Sequence, residues 1–180
     1  MNTYFAPGCG FKEYKPDVTQ KMEHFLLKRG KIDGIHLMCC HNDPHATEKT
    51  TIVNTCAGCD RRFRTLYQNI TTISLWEMLL DTDFPFPNYN GYEMSIHDAC
   101  PTRDQPRVHH SVRAVLEKMN IKVVEAEKSR EKSRCCGSTY FDNGLSPELV
   151  LQKSLERAAD FPCKDVVVYC VGCARFLNLA

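Results

Sequence analysis

Short β-branched and aromatic runs alternate along this chain with stretches in which apolar residues recur every three or four positions, a pattern that predicts strands interleaved with helices. Near the N-terminus TYFAPGC reads as a strand running into a Pro-Gly turn. Pro16 and Asp17 then precede Val18, Met22, Phe25 and Leu26 at helical spacing, with Gly30 as the stop. DGIHLM returns as a strand ending at Cys39, HNDPHATEK is a polar loop, and TTIVNT is a strand leading to Cys56. Trp76, Leu79 and Leu80 belong to an apolar helical stretch read as core.

The pattern then begins again. YEMSIHDAC predicts a strand, Val108, Val112, Val115, Leu116 and Met119 mark an amphipathic helix, and IKVVEA is a second strand. Ser146 and Pro147 suit a helix cap and first turn; that helix runs through Leu149, Leu151 and Leu155 to Ala159, and DVVVY follows as a strand. Strand, helix, strand order favours parallel pairing. The expected class is α/β, in two pseudo-symmetric halves, each a small mainly parallel sheet with flanking helices and cysteines at the carboxyl ends of its strands. DTDFPFPNYNG, residues 81–91, joins turn-forming residues to two prolines and reads as a connector, which puts the halves at residues 1–91 and 92–180.

Composition narrows the chemistry. The 180 residues are 43% hydrophobic and 25% charged, enough for one ordinary core or two small packed halves. The formal charge is +1, with no long basic run and no stacking pattern of aromatics, so nucleic acid is not an expected partner. MNTYFAPGCG has no basic segment followed by an apolar one, and no apolar run approaches about 18 residues. A soluble cytoplasmic protein is expected. Eleven cysteines is well above ordinary usage, and thiols kept reduced in such a compartment point to metal or cluster ligands. Redox thiols, exported disulfides and buried small hydrophobes are the rival readings.

Apart from Cys163, the cysteines repeat one order twice: one alone, an adjacent pair, then CxxC. The first set is Cys9, Cys39, Cys40, Cys56 and Cys59; the second is Cys100, Cys135, Cys136, Cys170 and Cys173. Flanking sequence repeats too, since TIVNTCAGCDRRF and DVVVYCVGCARFL each run from a β-branched stretch through CxGC into a helix-compatible tail. A helix N-terminus there supplies free N–H groups and partial positive charge, which favour thiolates. A closed zinc site takes four ligands and each set offers five. Neighbouring residues of an extended chain point oppositely, so an adjacent pair suits a multi-iron cluster better than one tetrahedral ion. A vicinal disulfide would be strained, and a thioredoxin-like CxxC needs no companion thiols.

Cys100, the tripeptide CCG at Cys135 to Gly137, and CVGC at Cys170 to Cys173, with gaps of 34 and 33 residues, closely resemble the cysteine-rich CCG domain. That domain typifies the cysteine-rich subunit of heterodisulfide reductase and related iron-sulfur oxidoreductases. IHDACPTRD followed by Arg113 resembles the family's His-Asp-x-Cys opening. In the first half PGCG, MCC and TCAGC match, but His41 stands where the family has glycine, and the gap before CxxC is 15 residues, about half the usual length. The resemblance implies non-cubane [4Fe-4S] clusters, one or two per chain, held by Cys9, Cys39, Cys40, Cys56 and Cys59 and by Cys100, Cys135, Cys136, Cys170 and Cys173. It also admits zinc in one half. By the same resemblance, electrons pass from a flavoprotein or ferredoxin-like partner subunit through the clusters to a disulfide or related acceptor, with a small thiol or disulfide as substrate. The alternative is a non-catalytic zinc or iron-sulfur module for electron transfer or interaction. Neither a GxGxxG fingerprint nor a ferredoxin-type cysteine run is present, so electrons come from another subunit.

Other residues receive plainer expectations. His97 reads as a structural histidine at a strand end, His41 and His45 as solvated loop residues, and His109 and His110 as helix-surface residues. Arg103, Arg107 and Arg134 flank the second cysteine set, where positive charge would favour thiolates and draw an anionic thiol substrate, although ordinary solvated arginine is the slightly favoured reading. Cys163 reads as a non-ligand.

Overall fold

The computed structural model of the chain describes residues 1–36 and 46–180. The end of the DGIHLM strand, Cys39, Cys40, His41 and His45 lie outside the described residues. The chain divides into two compact units, Met1–Met78 and Leu79–Ala180.

In the first unit the strands are β1 (Asn2–Ala6), β2 (Gly34–Ile35), β3 (Thr50–Asn54) and β4 (Ile70–Ser74), ordered β2-β1-β3-β4 and all parallel. Asn2 to Ala6 pair in register with Thr50 to Asn54, which in turn pair with Ile70 to Ser74. A strand covered on both sides reads as an apolar run without alternation. Accordingly Ile52 and Val53, adjacent on β3, are both buried. The helices are α1 (Cys9–Tyr14), α2 (Pro16–Lys28), α3 (Ala57–Leu66) and α4 (Leu75–Leu80). Pro16 opens α2 as its first residue, Met22 and Leu26 are its buried apolar side chains, and Gly30 follows with φ 61°. Phe63 of α3 packs with Ala6, Ile52 and Ile70, and Tyr4, Cys59 and Tyr67 lie against that group.

The second unit repeats the order on three strands: β5 (Tyr92–His97), β6 (Ile121–Val123) and β7 (Val166–Val168), arranged β6-β5-β7, again all parallel. β5 gives Tyr92 to Met94 to β6 and Ser95 to His97 to β7. Its helices are α5 (Pro106–Lys118), α6 (Ser138–Asp142), α7 (Pro147–Ala158) and α8 (Val171–Leu177). Ser146 caps α7 by accepting from the Leu149 amide. The buried face of α7 is Val150, Ser154 and Arg157, while Leu149, Leu151 and Leu155 are exposed.

The α/β class and the parallel pairing follow the sequence pattern. β4 is an addition to the elements read above: ITTIS is β-branched from Ile70 to Ile73, and it pairs along the whole of β3. His109 corrects its expectation, because it is buried on α5 and its Nε2 lies 3.3 Å from Thr102 Oγ1. His110, one position on, is exposed.

Candidate metal centre

The second cysteine set is assembled by Asp98. This residue follows β5 directly and is fully buried. Its carboxylate accepts from Arg113 Nη1 and Nη2 of α5 at 3.0 and 2.8 Å, from the Arg130 amide at 2.7 Å and from the Tyr169 hydroxyl at 3.1 Å. Its carbonyl accepts from Ser133 Oγ at 2.5 Å. Arg130 and Ser133 sit on the segment that leads to Cys135 and Tyr169 immediately before Cys170, Arg113 comes from α5, and Cys100 lies just beyond Asp98 itself. One residue thus gathers three cysteine-bearing segments. Burial alone would raise the Asp98 pKa, but the hydrogen bonds and charge of Arg113, with the Arg130 amide, outweigh it and hold the carboxyl below its ordinary range.

Gly137 sets the next feature. It has φ 116°, and a Cβ there would stand 2.3 Å from Ser154 Oγ, so the CCG tripeptide accepts only glycine at its third place. Ser154 Oγ is itself held by the carbonyls of Cys136 and Val150 at 2.9 and 3.0 Å. The turn points the amide of Gly137 at Cys135 and that of Ser138 at Cys136. Cys170 is the N-cap of α8 and Cys173 lies in its first turn; Cys56 and Cys59 take the same two places on α3. The repeated CxGC is therefore a repeated strand-to-helix corner.

The thiols of the second set lie near enough to shift one another's ionisation: Cys100 with Cys135, Cys135 with Cys136, Cys136 with Cys173, and Cys173 with Cys170. The neighbouring thiols of Cys100 and then Cys136 push the Cys135 thiol down. Cys136 is pushed up to about 11, first by neighbouring Cys135. Cys100 and Cys173 are also raised, by neighbouring thiols and by burial. All the described cysteines are thiols rather than disulfides. A ring nitrogen of His97 and the sulfurs of Cys136 and Cys173 lie within 4.8 Å of one another, all buried. His97 Nε2 is enclosed with no hydrogen-bond partner, and burial followed by the charge of Arg157 lowers the His97 pKa to about 4.

Five neighbouring thiols and an orphaned buried nitrogen fit a thiolate-bound metal or cluster, and five thiols exceed what one tetrahedral ion takes. Residues 94–178 match the family of the Cysteine-rich domain, CCG.

This segment is a CCG cysteine-rich domain. It lies wholly within the second unit. No curated protein and no solved structure matches the chain. The clustered cysteines of the CCG domain mark it as a metal or iron-sulfur site.

Cys135 of the CCG domain opens on a cavity of about 660 Å³, whose wall carries Arg103, Lys132, Arg134, Lys153 and Arg157 against Glu131 and Glu156. Arg103 and Arg134 line this wall rather than standing as ordinary solvated arginines, whereas Arg107 is not in the wall and instead reaches Gln105 Oε1 at 3.2 Å. Arg157 carried no signal in the sequence, because a helical arginine is ordinarily solvated. Cys163 lies before β7, its amide donating to Ser95 Oγ at 3.0 Å.

In the first unit Cys9 starts α1 and is exposed, while Cys56 is buried. A Cβ on Gly8 would stand 3.5 Å from Cys59 Sγ, and Thr55 Oγ1 donates to the Pro7 carbonyl at 2.7 Å. The turn after β1 and the CxGC corner after β3 thus meet. Cys39 and Cys40 are outside the described residues. Among the described residues no helix is long and apolar enough to cross a membrane.

Proposed function

We propose that the chain is an iron-sulfur oxidoreductase subunit resembling the cysteine-rich subunit of heterodisulfide reductase, passing electrons to a disulfide or related acceptor. The observation that carries this reading is the gathering of five free thiols, Cys100, Cys135, Cys136, Cys170 and Cys173, with the sulfurs of Cys136 and Cys173 and a His97 ring nitrogen within 4.8 Å of one another. These five would hold a non-cubane [4Fe-4S] cluster in the CCG domain. Cys9, Cys39, Cys40, Cys56 and Cys59 would hold a second cluster, or zinc, in the other half. A bound cluster would supply one-electron steps at a sulfur-ligated centre. The chain's own contribution is positional and electrostatic: Asp98 locks the ligand-bearing segments together, and the cationic wall beside Cys135 draws an anionic acceptor to the sulfurs. Electrons would arrive from a flavoprotein or ferredoxin-like partner.

A second reading rests on the close trio of His97, Cys136 and Cys173. Three ligands of these types suit a single zinc ion in a non-catalytic interaction module. Iron, acid-labile sulfide and zinc per chain, measured on anaerobically purified protein with a visible spectrum before and after dithionite, separate the two. About eight irons with equal sulfide support clusters in both halves, and about four support one in the CCG domain. Zinc without sulfide and without bleaching overturns the redox reading.

A further inference from the structure

Arg157 and His97 are both enclosed, at 1% and 0% exposure. The guanidinium reaches inward from α7 and is held through all three of its nitrogens. Its Nε donates to Nδ1 of His97 at 3.2 Å, its Nη1 to Asp160 at 3.1 Å and its Nη2 to Ser133 Oγ at 3.3 Å. Phe161 supports both groups, its ring centre lying 4.4 Å from Arg157 Cζ and meeting the His97 ring edge-on at 5.9 Å.

A guanidinium has only donors. Nδ1 of His97 must therefore present its lone pair to Arg157, which excludes the imidazolium and leaves the single ring proton on Nε2. That Nε2 is the enclosed nitrogen with no partner, on a ring within 4.8 Å of the Cys136 and Cys173 sulfurs. Coordination of a metal through Nε2 would require the proton to move to Nδ1, head-on to the N–H of Arg157. The buried arginine thus opposes the ligand role that proximity alone would assign.

We propose that Arg157 fixes His97 as a hydrogen-bond donor toward the sulfurs at Cys136 and Cys173, so that His97 is a positioning residue for the group those thiolates hold and not one of its ligands. The tautomer stands on the geometry alone; its electrochemical consequence rests on the iron-sulfur reading above. A donor aimed at sulfur stabilises the more negative, reduced form of a cluster and raises its potential.

The test uses the full chain labelled with ¹⁵N-histidine, read first without metal by long-range ¹⁵N–¹H correlation and then loaded anaerobically with iron and sulfide. The expected results are a proton on His97 Nε2 in the metal-free chain and no directly coordinated nitrogen in pulsed EPR of the reduced, loaded chain. His97→Met should keep the iron content and shift the reduction potential downward, while His97→Gln, which retains an N–H donor, should recover part of the shift. A proton on Nδ1 in the metal-free wild-type chain overturns the proposal even if the variants fail to fold, and so does direct nitrogen coordination. Nε2–H in a chain that takes up zinc without His97 coordination and no iron-sulfur supports the donor assignment while removing the redox reading.

Discussion

Arg113 Nη2 stands 2.8 Å from Asp98 Oδ2, with the Asp98 carboxylate fully buried and the arginine side chain 13% exposed. Arg113 also bonds Glu125 through Nε at 2.6 Å and Nη2 at 2.8 Å, so the cation is neutralised on both sides. Removing one partner of a buried pair leaves an uncompensated charge. Arg113→Met should therefore destabilise the metal-free chain by ~3–5 kcal/mol in urea unfolding. Asp98→Asn combined with Arg113→Met should cost less than Arg113→Met alone, because no buried charge is then stranded.

The same pair gives a pH dependence with a definite sign. The Asp98 carboxyl is held below its ordinary value of 3.8 in the folded state. Its stabilising contribution is therefore fully present above that value and is lost as pH falls through the lower, folded one. Acid unfolding followed by circular dichroism should show the wild type losing stability below about pH 4. Asp98→Asn, less stable at neutral pH, should show a flatter acid limb.

Gly137→Ala tests the CCG turn. The new Cβ would press on Ser154 Oγ at 2.3 Å from a backbone with φ 116°. A loss of about 1–3 kcal/mol is expected from strain and displaced packing. Metal content should fall as well, because Ser154 holds the Cys136 carbonyl. An unchanged melting temperature together with full metal content would show that the turn does not position the pair.

Cys136→Ser removes the thiol that lies within 4.8 Å of the Cys173 sulfur, and on the proposed function should reduce iron in the CCG domain to less than about half of wild type. Cys163→Ser should leave metal content unchanged. Iron analysis after identical anaerobic loading distinguishes them, and equal losses in both variants would count against the ligand set.

Lys132→Met removes one charge from the wall beside Cys135 without altering any of the five thiols. On the proposed function, KM for an anionic disulfide should rise about 2–5-fold, an effect that added salt diminishes, with metal content unchanged. A neutral disulfide should be insensitive to the substitution.

Much of the frame was written in the sequence. The β-branched runs at Thr51 to Asn54 and Val166 to Val168, each followed by CxGC, specify strand-to-helix corners through local preference alone, and Pro16 and Pro147 open their helices for the same reason. Strand, helix, strand order then leaves parallel pairing as the ready solution. The spacing of the second cysteine set likewise marked the CCG domain, because its signal lies in residue types and intervals that survive without coordinates. What the tertiary structure decided depends on partners distant along the chain. ITTIS carries a β-branched run of its own, and pairing with β3 fixes its register and its place in the sheet, while His109 is buried because that face of α5 packs inward beside Thr102. Arg157 is 60 residues from His97, and no local pattern separates a buried helical arginine from a solvated one. The residue types set which atoms could hold a metal; long-range hydrogen bonding through Asp98 and Arg157 decided how the segments meet and which nitrogen of His97 keeps its proton.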